Sequence, residues 1–78
     1  MNGRLDSPLV LISWDPVTGR IAMRWDDDPR VTGAVDIADA MLAALSRGVE
    51  LHIPTSVYET LRGANAIPQD FPDWIKVV

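Results

Sequence analysis

The chain contains no cysteine and only one histidine among its 78 residues. The lack of cysteine excludes disulfide bonds and thiolate metal sites, and a single histidine excludes a multi-histidine site within one chain. A domain of this length has a small hydrophobic core, which a disulfide, a metal or oligomerisation often supplements. Of these three additional sources of stability, oligomerisation is the one that the composition does not exclude.

Basic residues are also scarce, since 7 lysines and arginines stand against 11 aspartates and glutamates, for a formal net charge of −4. A nucleic-acid-binding domain needs a basic footprint, so no nucleic-acid partner is expected. No apolar run is long enough to span a membrane. Asp6 and Pro8 interrupt the apolar residues that could form a signal peptide after Met1–Arg4. We therefore expect a cytoplasmic protein without a membrane partner.

Hydrophobic residues nevertheless make up 47% of the chain, as is usual for a globular protein. The length predicts a single domain over residues 1–78, in which residues 1–7 form a flexible lead-in. Two apolar runs within Leu9–Trp25 flank the sequence Asp-Pro-Val-Thr-Gly, a pattern typical of a β-hairpin.

The turn of this hairpin is predicted from three residues. Pro16 presets the backbone of a turn, and the Asp15 side chain can accept from backbone amides two or three residues ahead. Gly19 permits a left-handed backbone without steric cost. We therefore expect a four-residue loop, built on a type I turn, between Asp15 and Arg20.

That loop sets a strand register and assigns side chains to two faces. The expected pairs are Trp14–Ile21, Ile12–Met23 and Val10–Trp25, which place these six apolar side chains on a core face. Leu9 and Leu11 then lie beside Arg24 on the opposite face, and the first strand fails to alternate as a half-solvated strand should. These three residues are candidates for an interface with another chain.

The next elements are a helix and a strand. The helix is expected over Gly33–Arg47, with Thr32 as its N-cap and Gly48 as its left-handed stop. One apolar stripe should face the core, namely Ala34, Ile37, Ala38, Met41, Leu42 and Leu45. Strict alternation then predicts a strand over Val49–Ile53 with its odd-numbered residues inward.

The last third of the chain predicts a short helix and a final strand. Ser56 and Glu59 have the spacing of a capping box for a helix over Val57–Arg62. After a loop over Ala64–Pro72, the residues Trp74–Val78 alternate as a strand or extended tail. The order β-β-α-β-α-β belongs to the α+β class, with the helices on one face of the sheet.

Asp26, Asp27 and Asp28 form the densest charge cluster. Oxygen ligands suit a divalent cation, but consecutive residues do not converge on one ion without a specialised loop. The alternative is a solvated turn, in which Asp28 and Pro29 begin a short helical segment. This turn could share an acidic patch with Asp70 and Asp73. No metal site is predicted.

His52 is the only imidazole, and Glu50 lies on the same strand face. A general base also needs a reacting partner, and no serine stands in the context of a nucleophile elbow. The chain has no phosphate loop and no dinucleotide motif. We therefore predict no catalytic residue, no cofactor and no enzyme.

Three tryptophans are many for a chain of this size. Trp14 and Trp25 are expected in the core, and Trp74 is expected to be partly exposed at a contact, because tryptophan often anchors interfaces. The predicted interface residues are thus Leu9, Leu11, Arg24 and Trp74.

Three functions follow from these features. The first is a non-enzymatic protein–protein interaction module that forms a homodimer, similar in type to the small accessory proteins of phages and mobile elements. The second is an acidic inhibitor or antitoxin-like protein that binds a basic partner such as a nucleic-acid enzyme. The third is a small metal-dependent enzyme that uses Asp26, Asp28, His52 or Asp73.

Overall fold

The five strands of the chain form one mixed sheet, in the order β3-β2-β1-β4-β5. A computed structural model describes residues 7–78; the predicted lead-in lies outside the described residues apart from Ser7. The strands are β1 (Leu9–Trp14), β2 (Ile21–Trp25), β3 (Thr32–Ala34), β4 (Leu51–Ile53) and β5 (Ile75–Val77), and the helices are α1 (Ile37–Arg47) and α2 (Thr55–Gly63). The predicted α+β class and element order are confirmed, with β3 added before α1.

The direction of the strands divides the sheet into two parts. The strands β1, β2 and β3 pair antiparallel, whereas β1, β4 and β5 run parallel to one another. The buried side chains of the sheet and of both helices belong to one core cluster. Both helices therefore cover the same face of the sheet. No helix in residues 7–78 is long and apolar enough to cross a membrane.

The hairpin loop between β1 and β2 is confirmed. The Asp15 N–H donates to the Arg20 carbonyl at 2.9 Å, which closes the loop. The Asp15 carboxylate accepts from the Val17 N–H at 2.8 Å. Gly19 has φ 79°, the left-handed conformation that favours glycine. Local turn chemistry therefore determines this loop.

The register of the hairpin differs from the prediction because β1 contains a bulge. The observed pairs include Trp14–Ile21, as predicted, but also Leu11–Met23 and Leu9–Trp25. The register shifts between Leu11 and Ser13, so Ile12 is the extra residue. A bulge of one residue transfers all preceding side chains of its strand to the opposite face.

The bulge reverses the predicted faces of β1. Leu9 and Leu11 are fully buried in the core, whereas Ile12 is 41% exposed on the other side of the sheet. The prediction that Leu9 and Leu11 occupy an uncovered face is therefore wrong. The other buried residues of the core face of the sheet are Ile21, Met23, Ala34, Leu51, Ile53 and Ile75.

Helix α1 begins later than predicted. Its N-cap is Asp36, whose carboxylate accepts from the Asp39 N–H at 2.9 Å. The predicted cap, Thr32, and the predicted first residue, Gly33, instead pair with β2 as part of β3. The predicted stop is confirmed, since Gly48 has φ 67°. A tertiary strand pairing thus replaces the first turn expected of the helix.

The orientation of α1 differs from the prediction in part, since Ile37 and Met41 of the predicted stripe do pack against the core. Ala40 and Ala44 are fully buried, whereas Leu42 is 63% exposed and Leu45 is 57% exposed. Trp14 and Trp25 pack against the same core, so the sheet supplies large side chains and the helix supplies small ones. Alanine allows the helix to approach the sheet closely.

The remaining elements are mostly as predicted. Val49, Leu51 and Ile53 are buried, and β5 lies within the predicted last strand. The capping box is wrong, because α2 starts at Thr55 without a side-chain cap. The Thr55 hydroxyl donates to the Val78 carbonyl at 2.9 Å, which fastens the start of α2 to the end of the chain.

Two substitutions in α1 test its orientation. Ala44→Leu inserts volume between the helix and the sheet, so we expect the free energy of unfolding to fall by about 1–3 kcal/mol. Leu42→Ala trims an exposed side chain, so we expect a change below about 1 kcal/mol. Urea denaturation at low protein concentration measures both. If the predicted stripe faced the core, Leu42→Ala would instead cost roughly 2–5 kcal/mol.

Candidate protein interaction surface

The four residues predicted to form an interface do not share one surface. Leu9 and Leu11 are fully buried, so a partner cannot contact their side chains. Arg24 is half-buried on the sheet face that the helices leave open, and its Nη1 donates to the Trp25 and Asp26 carbonyls at 3.2 and 3.3 Å. Trp74 is half-buried, as predicted, but it lies on the helical side of the sheet.

Trp74 and α1 together form an apolar groove. The helix contributes residues spaced so that they lie along one side, and the Trp74 backbone is held where its carbonyl accepts from the Leu51 N–H at 2.9 Å. The groove has a volume of about 210 Å³, and its lining residues are all apolar: Ala38, Met41, Leu42, Leu45 and Trp74. These five residues are called the α1–Trp74 surface below.

The α1–Trp74 surface continues at both ends of the helix into neighbouring depressions. Ala38 also lines a depression with Asp36 and Asn65, and Leu45 and Trp74 line another with Glu50. Asp73 is exposed beside Trp74 in the sequence. No basic side chain lines these depressions within residues 7–78. Asp36 and Glu50 therefore lie at the two ends of the apolar groove.

The sequence interpretation missed Leu42 and Leu45 as surface residues, because it assigned the larger apolar side chains of α1 to the core. Ala40 and Ala44, which lie on another side of the helix, were the residues that could have indicated which side packs on the sheet. A helix with apolar residues on two sides can pack through either side. Its periodicity alone does not select the side that meets the sheet.

The second uncovered surface is the outer sheet face, which is opposite to the core. Strand pairing places Arg24, Val10, His52 and Lys76 in one row across β2, β1, β4 and β5. Ile12 and Ala22 lie on the same side of the sheet, and Ile12 also borders Ser56 and Thr60 of α2. This outer sheet face, defined by these six residues, has an apolar middle, and its charges are those of Arg24, Lys76 and the neighbouring Glu50.

His52 and Glu50 form a hydrogen-bonded pair on the outer sheet face. The His52 Nε2 and Glu50 Oε1 atoms are 2.9 Å apart, as the strand alternation suggested. This bond lowers the pKa of the Glu50 carboxyl, and the charge of Lys76 lowers it further. Glu50 also lines the depression with Leu45 and Trp74, so the pair borders both uncovered surfaces.

The acidic cluster forms a turn without the short helix that was predicted at Asp28. The Asp28 N–H donates to the Trp25 carbonyl at 3.0 Å. The Asp28 carboxylate accepts from the Arg30 N–H at 3.0 Å and pairs with the Arg30 guanidinium at 2.7 Å. Within residues 7–78, no group of three acidic or histidine side chains is placed to hold a metal ion.

The acidic turn Asp26–Asp28 and Asp73 follow or precede different strands of the sheet. Asp26 follows β2 and Asp73 precedes β5, and both lie at the same end of the sheet. However, β1 and β4 separate β2 from β5, a distance of three strand spacings or about 14 Å. The acidic residues are therefore distributed along the sheet.

Function must be inferred from these surfaces. No protein-family model, no curated protein and no solved structure matches the chain. Of the surfaces described, the α1–Trp74 surface is the one where large apolar side chains are exposed together. It is the candidate functional site.

The ion pair at the turn predicts a pH effect. Hydrogen bonds from Arg30 lower the pKa of Asp28 from 3.8 to about 2. Since the folded pKa is depressed, the pair stabilises the fold above the unfolded pKa, and this contribution is lost as the pH falls through the folded value. Arg30→Gln should return the Asp28 pKa toward 3.8, as measured by an NMR titration of the carboxyl group.

Arg30→Lys is the matched control, because it keeps the charge and removes the bidentate geometry. Its Asp28 pKa should lie between those of the wild type and Arg30→Gln. An unchanged pKa in Arg30→Gln would contradict the assignment of the shift to this pair.

Proposed function

We propose that this protein is a non-enzymatic protein–protein interaction module that self-associates through the α1–Trp74 surface. The observation that carries the proposal is the orientation of helix α1, which buries Ala40 and Ala44 and exposes Leu42 and Leu45. A helix that serves only its own core would bury its leucines, because their burial is worth more than that of alanine. The exposed leucines are explained if a second chain covers them.

The exposed leucines can supply part of the energy that association needs. Fully burying a leucine stabilises by roughly 1.5–3 kcal/mol, and Leu42 and Leu45 are both more than half exposed. Their burial together could contribute roughly 2–4 kcal/mol. Met41 and Trp74 extend the apolar area, and tryptophan is frequent among the residues that dominate binding energy.

A second copy of the chain is the partner that we propose. Most soluble assemblies are homo-oligomers, and a small domain gains stability when it buries apolar area between copies.

Analytical ultracentrifugation over the micromolar range tests self-association. We expect the average mass of the wild-type protein to rise with concentration. Leu42→Gln combined with Leu45→Gln should weaken association by about 30-fold or more, since about 2 kcal/mol or more of burial is lost. Glutamine is a good helix former, so α1 should stay folded.

Val17→Gln is the matched control, because Val17 is an apolar residue that is 90% exposed in the hairpin loop, away from the α1–Trp74 surface. It should associate as the wild type does. A wild-type protein that stays monomeric at high micromolar concentration would overturn the proposal. Equal association of the double variant and the wild type would assign the contact to another surface.

A further inference from the structure

We propose that strand β3 pairs antiparallel with β3 of a second copy across a two-fold axis at Gly33, so that two five-stranded sheets join edge to edge. This inference goes beyond the proposed function, because the α1–Trp74 surface takes no part in it. Each of the two contacts can form without the other, so they can be tested separately.

Strand β3 lies at an edge of the sheet, and only one of its sides is paired in the described part of the chain. Arg20 and Asp26 flank β2, and the backbone of each bonds to the β1 side. Because backbone groups alternate in direction along a strand, the odd-numbered residues of β2 bond to β3. Their partners are Ala34 and Thr32, so the N–H and C=O groups of Gly33 point away from the sheet.

The β3 edge lacks the charged side chain that often prevents an edge strand from pairing between molecules. The opposite edge strand, β5, carries Lys76 at its centre. Residues 31–35, in contrast, include no charged side chain, and Val31 and Val35 are 62% and 61% exposed. The β3 edge therefore presents both free backbone groups and apolar side chains to another strand.

A second copy of β3 is the partner that fits, because the sequence around Gly33 is complementary to itself when its direction is reversed. With Gly33 opposite Gly33 of the second copy, Val31 lies opposite Val35, and Arg30 lies opposite Asp36. Directly opposite residues have Cβ atoms about 4.5–5.5 Å apart, so their side chains interact. The two-fold axis repeats both pairs, which gives apolar contacts near the centre and opposite charges at the ends.

The charged groups at the ends are accessible although both already have a partner. Arg30 uses Nε and Nη2 in its ion pair with Asp28, and its Nη1 makes no hydrogen bond within the described residues. Asp36 caps α1 through Oδ1, and its Oδ2 is similarly unoccupied there. Exposed ion pairs add little stability, so these pairs favour one register more than they increase the affinity.

The contact through β3 is short. The Val35 N–H already donates to the Asp39 carboxylate at 3.1 Å, so the hydrogen bonds between copies are centred on Gly33. We therefore expect β3 pairing to be weaker than the contact through the α1–Trp74 surface and to appear at higher protein concentration. The two contacts together would link dimers into larger assemblies.

Single-cysteine variants test both the pairing and its register, because the chain contains no cysteine. Val31→Cys and Val35→Cys are mixed in a buffer in which glutathione disulfide is the oxidant. In the proposed register these two positions face each other with Cα atoms about 5.5 Å apart, which a disulfide can span. Two copies of one variant place their cysteines about 14 Å apart, which is too far.

The mixed disulfide dimer should therefore be the main product, and each variant alone should stay largely uncross-linked. Both substituted side chains are exposed, so the variants should fold, as circular dichroism can verify. Random collisions would instead make the mixed species only half of all cross-linked dimers. That proportion, or the absence of cross-linking, would overturn pairing through β3.

Val31→Lys provides a second measurement that needs no oxidant. It is made in the Leu42→Gln and Leu45→Gln background, so that the α1–Trp74 surface does not contribute. We expect association at high micromolar concentration to weaken by about ten-fold, because the lost apolar contact occurs twice across the axis. Val17→Lys, in the exposed hairpin loop, is the matched control and should associate as its background does.

The outcomes separate this inference from the proposed function. If the mixed disulfide dominates in the Leu42→Gln and Leu45→Gln background, β3 pairing holds whether or not the α1–Trp74 surface self-associates. If it does not dominate, or if Val31→Lys associates as its background does, β3 pairing is wrong. The proposed function is then still decided by the ultracentrifugation of the wild type and the double variant.

Discussion

The bulge at Ile12 is the constraint on which the rest of the structure depends. One extra residue in β1 places Leu9, Leu11 and Trp14 on a single face, although an uninterrupted strand would divide them between two. Leu9 then pairs with Leu51 in the parallel strand β4. This pairing brings the buried side chains of β4 to the same face, and both helices cover it. The opposite face is left without cover as a direct result.

The side chains of the sheet in turn determine how α1 packs. Trp14 and Trp25 already fill space over the sheet, and the Arg47 guanidinium lies 4.0 Å from the centre of the Trp25 ring. Ala40 and Ala44 are the fully buried residues of the helix, and Ile37 and Met41 pack against the core beside them. The leucines that the sequence pattern assigned to the core project outward as a consequence.

Elements determined by local interactions could be predicted from the sequence, and those determined by distant contacts could not. The Asp15–Gly19 loop and the Gly48 stop follow from backbone preferences of a few residues. The bulge could not be found, because Leu9 to Ile12 are apolar at both parities and no register is excluded by burial. Thr32 and Asp36 are both good N-caps, and only the pairing of β3 with β2 decides between them. The candidate site was missed for the related reason that α1 is apolar on two sides.

The structure keeps one feature predicted for β1 but assigns it to different residues. The failure of β1 to alternate indicated a strand with apolar side chains on both faces, and the structure keeps that property while exchanging Leu9 and Leu11 for Val10 and Ile12. Strand β4 behaves differently, because its outward residue is His52, hydrogen-bonded to Glu50. The apolar part of the outer sheet face is therefore concentrated at β1 and β2, and charged groups border it.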